Sequence, residues 1–215
     1  MQPPLAGMQP VSASGWQRLV LADAEVMLDP QWLAPAQADA LFAALRGAVA
    51  WENHRIRLFG REVASPRLSC WIGDAGADYT YSGTRFAPRP WPPALAALRP
   101  RIEMACGARF NSVLANLYRD GNDAMGWHSD DEPELGAQPV IASLSLGAER
   151  LFRLRRRLPR GVPARAADTL RLPLPHGSLL RMAGDTQRQY RHDLPRSRAP
   201  VAARINLTFR LVRPR

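Results

Sequence analysis

The hydrophobic and polar positions of the chain follow a helical period in its first half. Between residues 35 and 49, apolar residues recur at the spacing of one helix face and are Leu41, Phe42, Leu45 and Val49. Pro35 suits the first turn of a helix, and Gly47 lies near its end. The pattern predicts a helix over residues 35–49.

A second helical pattern lies within "RPWPPALAALRPRIEMACG", residues 89–107. Leu95, Leu98 and Ile102 fall on one stripe, and Gly107 is a suitable residue to end the helix. Pro100 interrupts the pattern, which predicts a kink or a late first turn.

After Gly107 the pattern changes to short alternating or β-branched runs separated by turn residues. These runs predict strands near residues 110–118, 139–146, 150–157, 169–174, 177–182 and 204–212. Helices followed by an all-β body indicate an α+β fold. We expect a jelly roll, or double-stranded β-helix, with the N-terminal helices packed on one side.

The length of 215 residues and the hydrophobic content of 46% indicate one folded domain. Residues 1–15 are rich in Pro, Ser, Gly and Gln and predict a flexible leader, with a single domain over residues 16–215. No apolar run approaches the roughly 18 residues of a membrane span. We therefore expect a cytoplasmic protein without a membrane partner, and a monomer is the simplest expectation.

The net charge of +10 comes entirely from arginine, since the chain contains no lysine. A basic surface favours a polyanionic partner such as nucleic acid. The arginines cluster most strongly between Arg150 and Arg171, where the pattern fits a solvated hairpin and a phosphate-contacting hairpin equally well.

Candidate chemistry is concentrated in the acidic stretch "NLYRDGNDAMGWHSDDE", residues 116–132. His128 and Asp130 are two apart, so in an extended segment both side chains point the same way and can reach one ion. Iron(II) oxygenases hold their metal with two histidines and one carboxylate. His192, in "QYRHDLP", is placed to supply the third ligand.

The segment "RINLTFRLV" is an internal check on this hypothesis. If it is a strand, one face carries Arg204, Asn206, Thr208 and Arg210, and the other carries Ile205, Leu207, Phe209 and Leu211. Inward arginines are costly unless an anion neutralises them, and a dicarboxylate would do so. Asn116 and Tyr118 share a face of an earlier strand and add an amide and a phenol.

These motifs, with "PVIASLSLGAERLFRLR", "LPLPHGSLLRMAG" and "HDLPRSRAPVAARINLTFR", resemble the AlkB family of Fe(II)- and 2-oxoglutarate-dependent dioxygenases over roughly residues 55–212. The resemblance implies a double-stranded β-helix core over about residues 108–212. It implies that Fe(II) is held by His128, Asp130 and His192, and that O2 and 2-oxoglutarate are cosubstrates. The implied 2-oxoglutarate contacts are Asn116, Tyr118, Arg204, Asn206 and Arg210, and Arg210 also counts among the implied catalytic residues.

Upstream, "RLFGREVASPRLSCWIGDAGADYTYSG" is similar to the nucleotide-recognition lid of family members that act on duplex DNA, and places a lid at about residues 51–90. By that similarity Phe59 fills the gap left by a flipped base, although it also fits an anchor for the lid itself. Tyr81 would stack on the base, and Glu132 and Asp131 would form an acidic pocket. Further substrate contacts are expected at Arg67, Arg196 and Arg198.

The resemblance implies oxidative demethylation of 1-methyladenine and 3-methylcytosine in DNA, with release of formaldehyde, succinate and CO2. Where some family members carry a continuous basic triplet, this chain has "RSR" at residues 196–198, which leaves strand preference open. One alternative is an oxygenase of the same fold acting on RNA, protein or a small molecule. Another is a non-catalytic basic nucleic-acid binder, which leaves the inward pair Arg204 and Arg210 unexplained.

Overall fold

A computed structural model describes residues 15–58, 61–81, 84–159, 161–163, 165 and 168–213. The leader predicted at residues 1–15 therefore lies almost entirely outside the described residues. Across these ranges, no helix is long and apolar enough to cross a membrane.

The described residues form three α-helices, one short 3-10 helix (Pro133–Leu135) and fifteen strands. The helices are α1 (Pro35–Ala48), α2 (Pro93–Cys106) and α3 (Thr186–Gln189). The strands are β1 (Gln17–Leu19), β2 (Glu25–Asp29), β3 (Arg55–Leu58), β4 (Arg61–Ala64), β5 (Leu68–Gly73), β6 (Tyr79–Tyr81), β7 (Thr84–Phe86), β8 (Ser112–Tyr118), β9 (Met125–His128), β10 (Ile141–Gly147), β11 (Arg150–Arg156), β12 (Thr169–Leu174), β13 (Leu179–Ala183), β14 (Tyr190–Leu194) and β15 (Arg204–Arg210).

Two antiparallel sheets make up the body of the protein. A seven-stranded sheet has the order β1-β2-β13-β10-β15-β8-β5, and a four-stranded sheet has the order β12-β11-β14-β9. Two further pairs, β3-β4 and β6-β7, stand apart from them. Two such sheets are the architecture of a jelly roll, so the predicted fold class is confirmed.

The two long helices pack against the seven-stranded sheet through one continuous apolar cluster. Both predicted helical stripes pack in it: Leu45 of α1 and Leu98 of α2 are buried, whereas Leu41 and Phe42 are partly buried. Helix α2 begins at Pro93 and runs through Pro100, so the expectation of a late first turn at Pro100 is wrong. A second apolar cluster, with Leu154 and Leu180, includes residues of both sheets.

The six predicted strands correspond to β8, β10, β11, β12, β13 and β15. The pattern did not predict the strands before α2, or the short β9 and β14. Strand β5, inside the range predicted for the lid, pairs with β8 in the seven-stranded sheet. The prediction that Leu211 continues the apolar face is wrong, because the strand ends at Arg210 and Leu211 is 39% exposed.

Candidate metal and cosubstrate site

Two short strands bring three potential metal ligands together. Strands β9 and β14 pair in a register that sets His128 opposite His192, and Asp130 follows two residues after the end of β9. One ligand atom from each of the three residues lies within 4.8 Å of the others. The structure thus brings together the triad predicted from the sequence.

Both histidines are held in the form that binds a cation. His128 Nδ1 donates to the Gly126 carbonyl at 2.8 Å, which leaves Nε2 with its lone pair. Burial lowers the pKa of His128, and burial together with His128 lowers the pKa of His192 to about 3. At neutral pH both rings are uncharged, as metal ligation requires.

Asp130 supplies a buried carboxylate whose Oδ1 lies 4.0 Å from His128 Nε2 and whose Oδ2 lies 4.0 Å from His192 Nε2. Burial alone would raise the pKa of Asp130, but Arg210 and the two histidines lower it to about 2. Arg210 donates to Oδ1 at 2.6 Å. Among the described residues no donor reaches Oδ2, which lies 4.0 Å from His192 Nε2. An ionised oxygen without a donor beside two neutral imidazoles fits a divalent cation such as Fe(II).

The predicted cosubstrate residues line the cavity that extends from this triad. They come from neighbouring strands: Asn206 of β15 lies opposite Asn116 of β8, and Arg204 lies opposite Tyr118. Arg210 lines the same cavity. The alternation predicted for "RINLTFR" is therefore present, because its polar members face the cavity and its apolar members face the helices.

Arg204 is the most unusual group in the cavity, since its side chain is only 1% exposed. Its guanidinium donates to Ser145 Oγ at 2.8 Å and lies over the Tyr118 ring, 5.4 Å from the centroid. Its Nε has no hydrogen-bond partner among the described residues, and burial lowers the pKa of Arg204 to about 10. A buried cation held by a hydroxyl and a ring fits an anionic ligand, as the sequence predicts.

Arg67, which was predicted to contact substrate, lies behind the cavity. It is 5% exposed and donates from Nε to Asn116 Oδ1 at 2.7 Å, and from a terminal nitrogen to Ser65 Oγ at 3.2 Å. Arg67 therefore orients Asn116, and its role as a substrate contact stays a prediction.

The two predicted acidic substrate contacts lie beside the triad but are not among the cavity-lining residues. Asp131 is paired with Arg157, which also donates to Ser129 Oγ at 2.7 Å. Glu132 is half-buried at the start of the 3-10 turn Pro133–Leu135. Their contacts with a base remain predictions.

The other predicted substrate contacts are exposed, or they lie wholly or in part outside what the structure describes. Arg196 and Arg198 are exposed on the segment after β14, where the Ser197 amide donates to the Gly121 carbonyl at 2.8 Å. Phe59 lies outside the described residues. Tyr81 ends β6, but its side chain is not described.

Several residues of the site were missed by sequence reasoning. Phe152 stacks on His192 with ring centroids 5.3 Å apart, and Ser143 and Ser145 contact the cavity residues of β15. The alternation in "IASLSLG" could have indicated the two serines. Gln187, which accepts a hydrogen bond from the Asp130 amide at 3.0 Å, had no such signal.

Comparison with known proteins agrees with this geometry. Residues 25–210 match the model of the 2OG-Fe(II) oxygenase superfamily. The chain is 42% identical to the bovine DNA oxidative demethylase ALKBH2 over 183 residues, which is 83% of this chain and 66% of that protein. It is 42% identical to human DNA oxidative demethylase ALKBH2 over 82% of this chain and 69% of that protein.

A third relative is the bovine alpha-ketoglutarate-dependent dioxygenase alkB homolog 3, at 41% identity over 88% of this chain and 66% of that protein. The chain thus spans about two thirds of the length of these relatives. The solved structure of OsALKBH1 has a TM-score of 0.59 at 16% identity, covering 91% of this chain and 99% of that one, and it supports the fold alone.

Proposed function

Because the chain belongs to the AlkB family of the 2OG-Fe(II) oxygenase superfamily, we propose that it is a DNA oxidative demethylase. Its substrates are N-alkylated bases such as 1-methyladenine and 3-methylcytosine. The observation that carries this proposal is the cluster of His128, Asp130 and His192 at a cavity that also contains the buried guanidinium of Arg204.

One group of cavity residues would bind a metal, and another would bind a dicarboxylate. His128, Asp130 and His192 would hold Fe(II), which together with 2-oxoglutarate and O2 supplies the oxidation of an N-methyl group. Arg204 would bind the distal carboxylate of 2-oxoglutarate. Arg210, paired with Asp130, places positive charge at the metal end of the cavity.

Base recognition falls to the rim of the cavity and to the lid. Removing a base from the stack costs a few kcal/mol, which gives Phe59 a role as a wedge and Tyr81 a role as a stacking partner. A 1-methyladenine or 3-methylcytosine is cationic, so a carboxylate favours it over the normal base. The resemblance assigns the contact with the polar edge of the base to Glu132, and Asp131, which is paired with Arg157, adds negative charge beside it.

Arginine side chains outside the cavity support a nucleic-acid partner. Arg155 lies over the half-buried Trp127 ring, 4.2 Å from its centroid. Arg196 and Arg198 are exposed. Such groups bind a phosphate backbone of any sequence, so they support DNA and leave RNA as a further candidate.

The test is mass spectrometry of an oligonucleotide carrying one 3-methylcytosine, incubated with the protein, Fe(II), 2-oxoglutarate and ascorbate. We expect the mass of one methylene to be lost only when 2-oxoglutarate is present. Running the assay with and without the complementary strand ranks the two strand forms. Succinate formation without loss of mass would place the substrate outside methylated DNA.

Two histidine variants provide the matched controls. His128→Ala removes a proposed metal ligand and is expected to abolish turnover and iron binding. His176→Asn removes a histidine outside the triad. The Gly147 amide donates to His176 Nδ1 at 2.7 Å, and the asparagine keeps an acceptor for it. This variant should retain both turnover and iron binding. Turnover by His128→Ala would contradict the assignment.

A further inference from the structure

Asp130 is held by its backbone as well as by its carboxylate. Its amide donates to Gln187 Oε1 at 3.0 Å, across 57 positions of the chain. The Gln187 side chain is 2% exposed and lies on helix α3. A buried amide proton has to find an acceptor, and here a side chain provides it.

The segment that carries Gln187 continues directly into strand β14, which carries His192. The residue before Asp130 is tied to the same segment, because Ser129 Oγ donates to the Tyr190 carbonyl at 2.8 Å. Two hydrogen bonds therefore fix the backbone of Asp130 relative to the strand of His192. Across this junction Asp130 Oδ2 and His192 Nε2 lie 4.0 Å apart.

Helix α3 is itself anchored to the seven-stranded sheet. Thr186 Oγ1 donates to the Ala183 carbonyl at 2.5 Å and accepts from the Glu25 amide at 3.0 Å. Thr186 is 1% exposed, so it is as deeply buried as Gln187. Gln187 thus extends from a fixed support to the metal-binding segment.

We propose that Gln187 is a positioning residue for the metal site, which it serves by fixing Asp130 at the correct distance from His192. It acts through the backbone of Asp130 and contacts neither the metal nor the substrate. The inference rests on the metal site of the proposed function and is independent of the identity of the substrate. Hydrogen bonds that orient metal ligands are commonly worth about 10- to 100-fold in metal affinity.

The experiment measures Mn(II) binding by electron paramagnetic resonance, with metal-free protein and without 2-oxoglutarate or nucleic acid. Gln187→Met preserves length and removes the amide acceptor, and we expect Mn(II) affinity to fall by roughly tenfold or more, with a changed spectrum of the bound ion. Ser178→Ala is the matched control, since Ser178 is equally buried and its Oγ donates to the Pro175 carbonyl at 2.7 Å, outside helix α3 and the segment of Asp130. It should lower the melting temperature and leave Mn(II) affinity unchanged.

Equal Mn(II) affinity in the wild type and in folded Gln187→Met would overturn the inference, as would an equal loss in Ser178→Ala. If Gln187→Met does not fold, Gln187→Asn keeps the amide but is one methylene too short, and Gln187→Glu keeps the reach and an oxygen acceptor. We then expect tighter Mn(II) binding in Gln187→Glu than in Gln187→Asn, and the reverse order would overturn the inference. A wild-type protein that binds no Mn(II) would instead count against the metal site, and with it the proposed function.

Discussion

Strand β15 has two buried faces with different chemistry. One face carries the apolar residues Ile205, Leu207 and Phe209, all 0% exposed and packed in the cluster beneath the helices. The other carries Arg204, Asn206, Thr208 and Arg210, which are 1% to 8% exposed and line the cavity. Burial alone therefore does not distinguish the structural face of this strand from the functional face.

The difference lies in how directional the contacts are. Apolar packing requires volume and shape, so its loss changes the free energy of unfolding in proportion to the cavity left behind. The polar face depends on individual hydrogen bonds, such as those of Asn206 Nδ2 with Ser143 Oγ at 2.7 Å and of Thr208 Oγ1 with Asn206 Oδ1 at 3.0 Å. Substitutions on the two faces should therefore separate stability from cosubstrate binding.

The largest effect is expected for Asp130→Ala, which acts on both properties. It removes a proposed metal ligand, so turnover and Mn(II) binding should be lost. It also removes the carboxylate that pairs with the buried Arg210, and breaking such a pair costs about 3–5 kcal/mol. Urea unfolding of the metal-free protein measures the second effect.

Asp123→Ala is the control for that variant. Asp123 is also buried, but its partner Arg119 is half exposed, so water can solvate the cation that is left. We expect a smaller loss of stability and unchanged Mn(II) binding. Equal losses in the free energy of unfolding would show that the buried Asp130–Arg210 pair contributes no more to stability than the Asp123–Arg119 pair.

The second prediction concerns the apolar face. Phe209→Ala removes a ring that stacks on Trp91, with centroids 6.3 Å apart, and lies tilted against Phe110 at 6.1 Å, and should cost about 3–5 kcal/mol in the free energy of unfolding. The KM for 2-oxoglutarate should not change at a temperature where the variant is folded. A tenfold change in KM without loss of stability would contradict the division between the two faces.

The third prediction is the converse. Arg204→Met removes the guanidinium proposed to bind the distal carboxylate, and a hydrogen bond to a charged group is worth about 1.5–3 kcal/mol. The KM for 2-oxoglutarate should therefore rise by about tenfold or more. Stability should change little, because no ion pair of the described residues is broken and an apolar side chain is well tolerated at such a position.

Arg210→Met provides the comparison on the same face. Since Arg210 donates to Asp130, its loss should weaken Mn(II) binding as well as 2-oxoglutarate binding. Arg204→Met should leave Mn(II) binding unchanged. Identical behaviour of the two variants would mean that the two arginines do not divide the cavity between a metal end and a distal end.

The alternation of β15 was predictable from the sequence because polar and apolar residues alternate with a period of two along a strand, even when both faces are buried. His128 and Asp130 were predicted for the same reason, since both lie on one short extended segment. His192 was predicted from its place in the far part of the β body, and the resemblance to a family implied the same residue. Strand β14 was not predicted because four of its five residues, "YRHDL", have charged or titratable side chains.

Contacts between residues far apart in the chain produce no periodic pattern in the sequence. The link from Gln187 to the Asp130 amide spans 57 positions and depends on a single glutamine in a helix of four residues. The pairing of Asp131 with Arg157 likewise depends on how β11 ends, and no local pattern reports it. Periodicity predicts which face a residue occupies, whereas its partner depends on which strands meet.

The smallest expected effect concerns the thiols that pack in the same cluster as the apolar face. Burial raises the pKa of Cys70 to about 11 and of Cys106 to about 12, from an ordinary value of 9.0. The neutral thiols therefore contribute stability that is fully present below pH 9.0 and is lost as pH rises toward 11.

At pH 8 neither thiol of the folded protein should react with a disulfide reagent, whereas both should react in urea. Phe209→Ala should speed this reaction through more frequent unfolding, and Arg204→Met should leave its rate unchanged; equal rates in the two variants would contradict the separation of the two faces of β15.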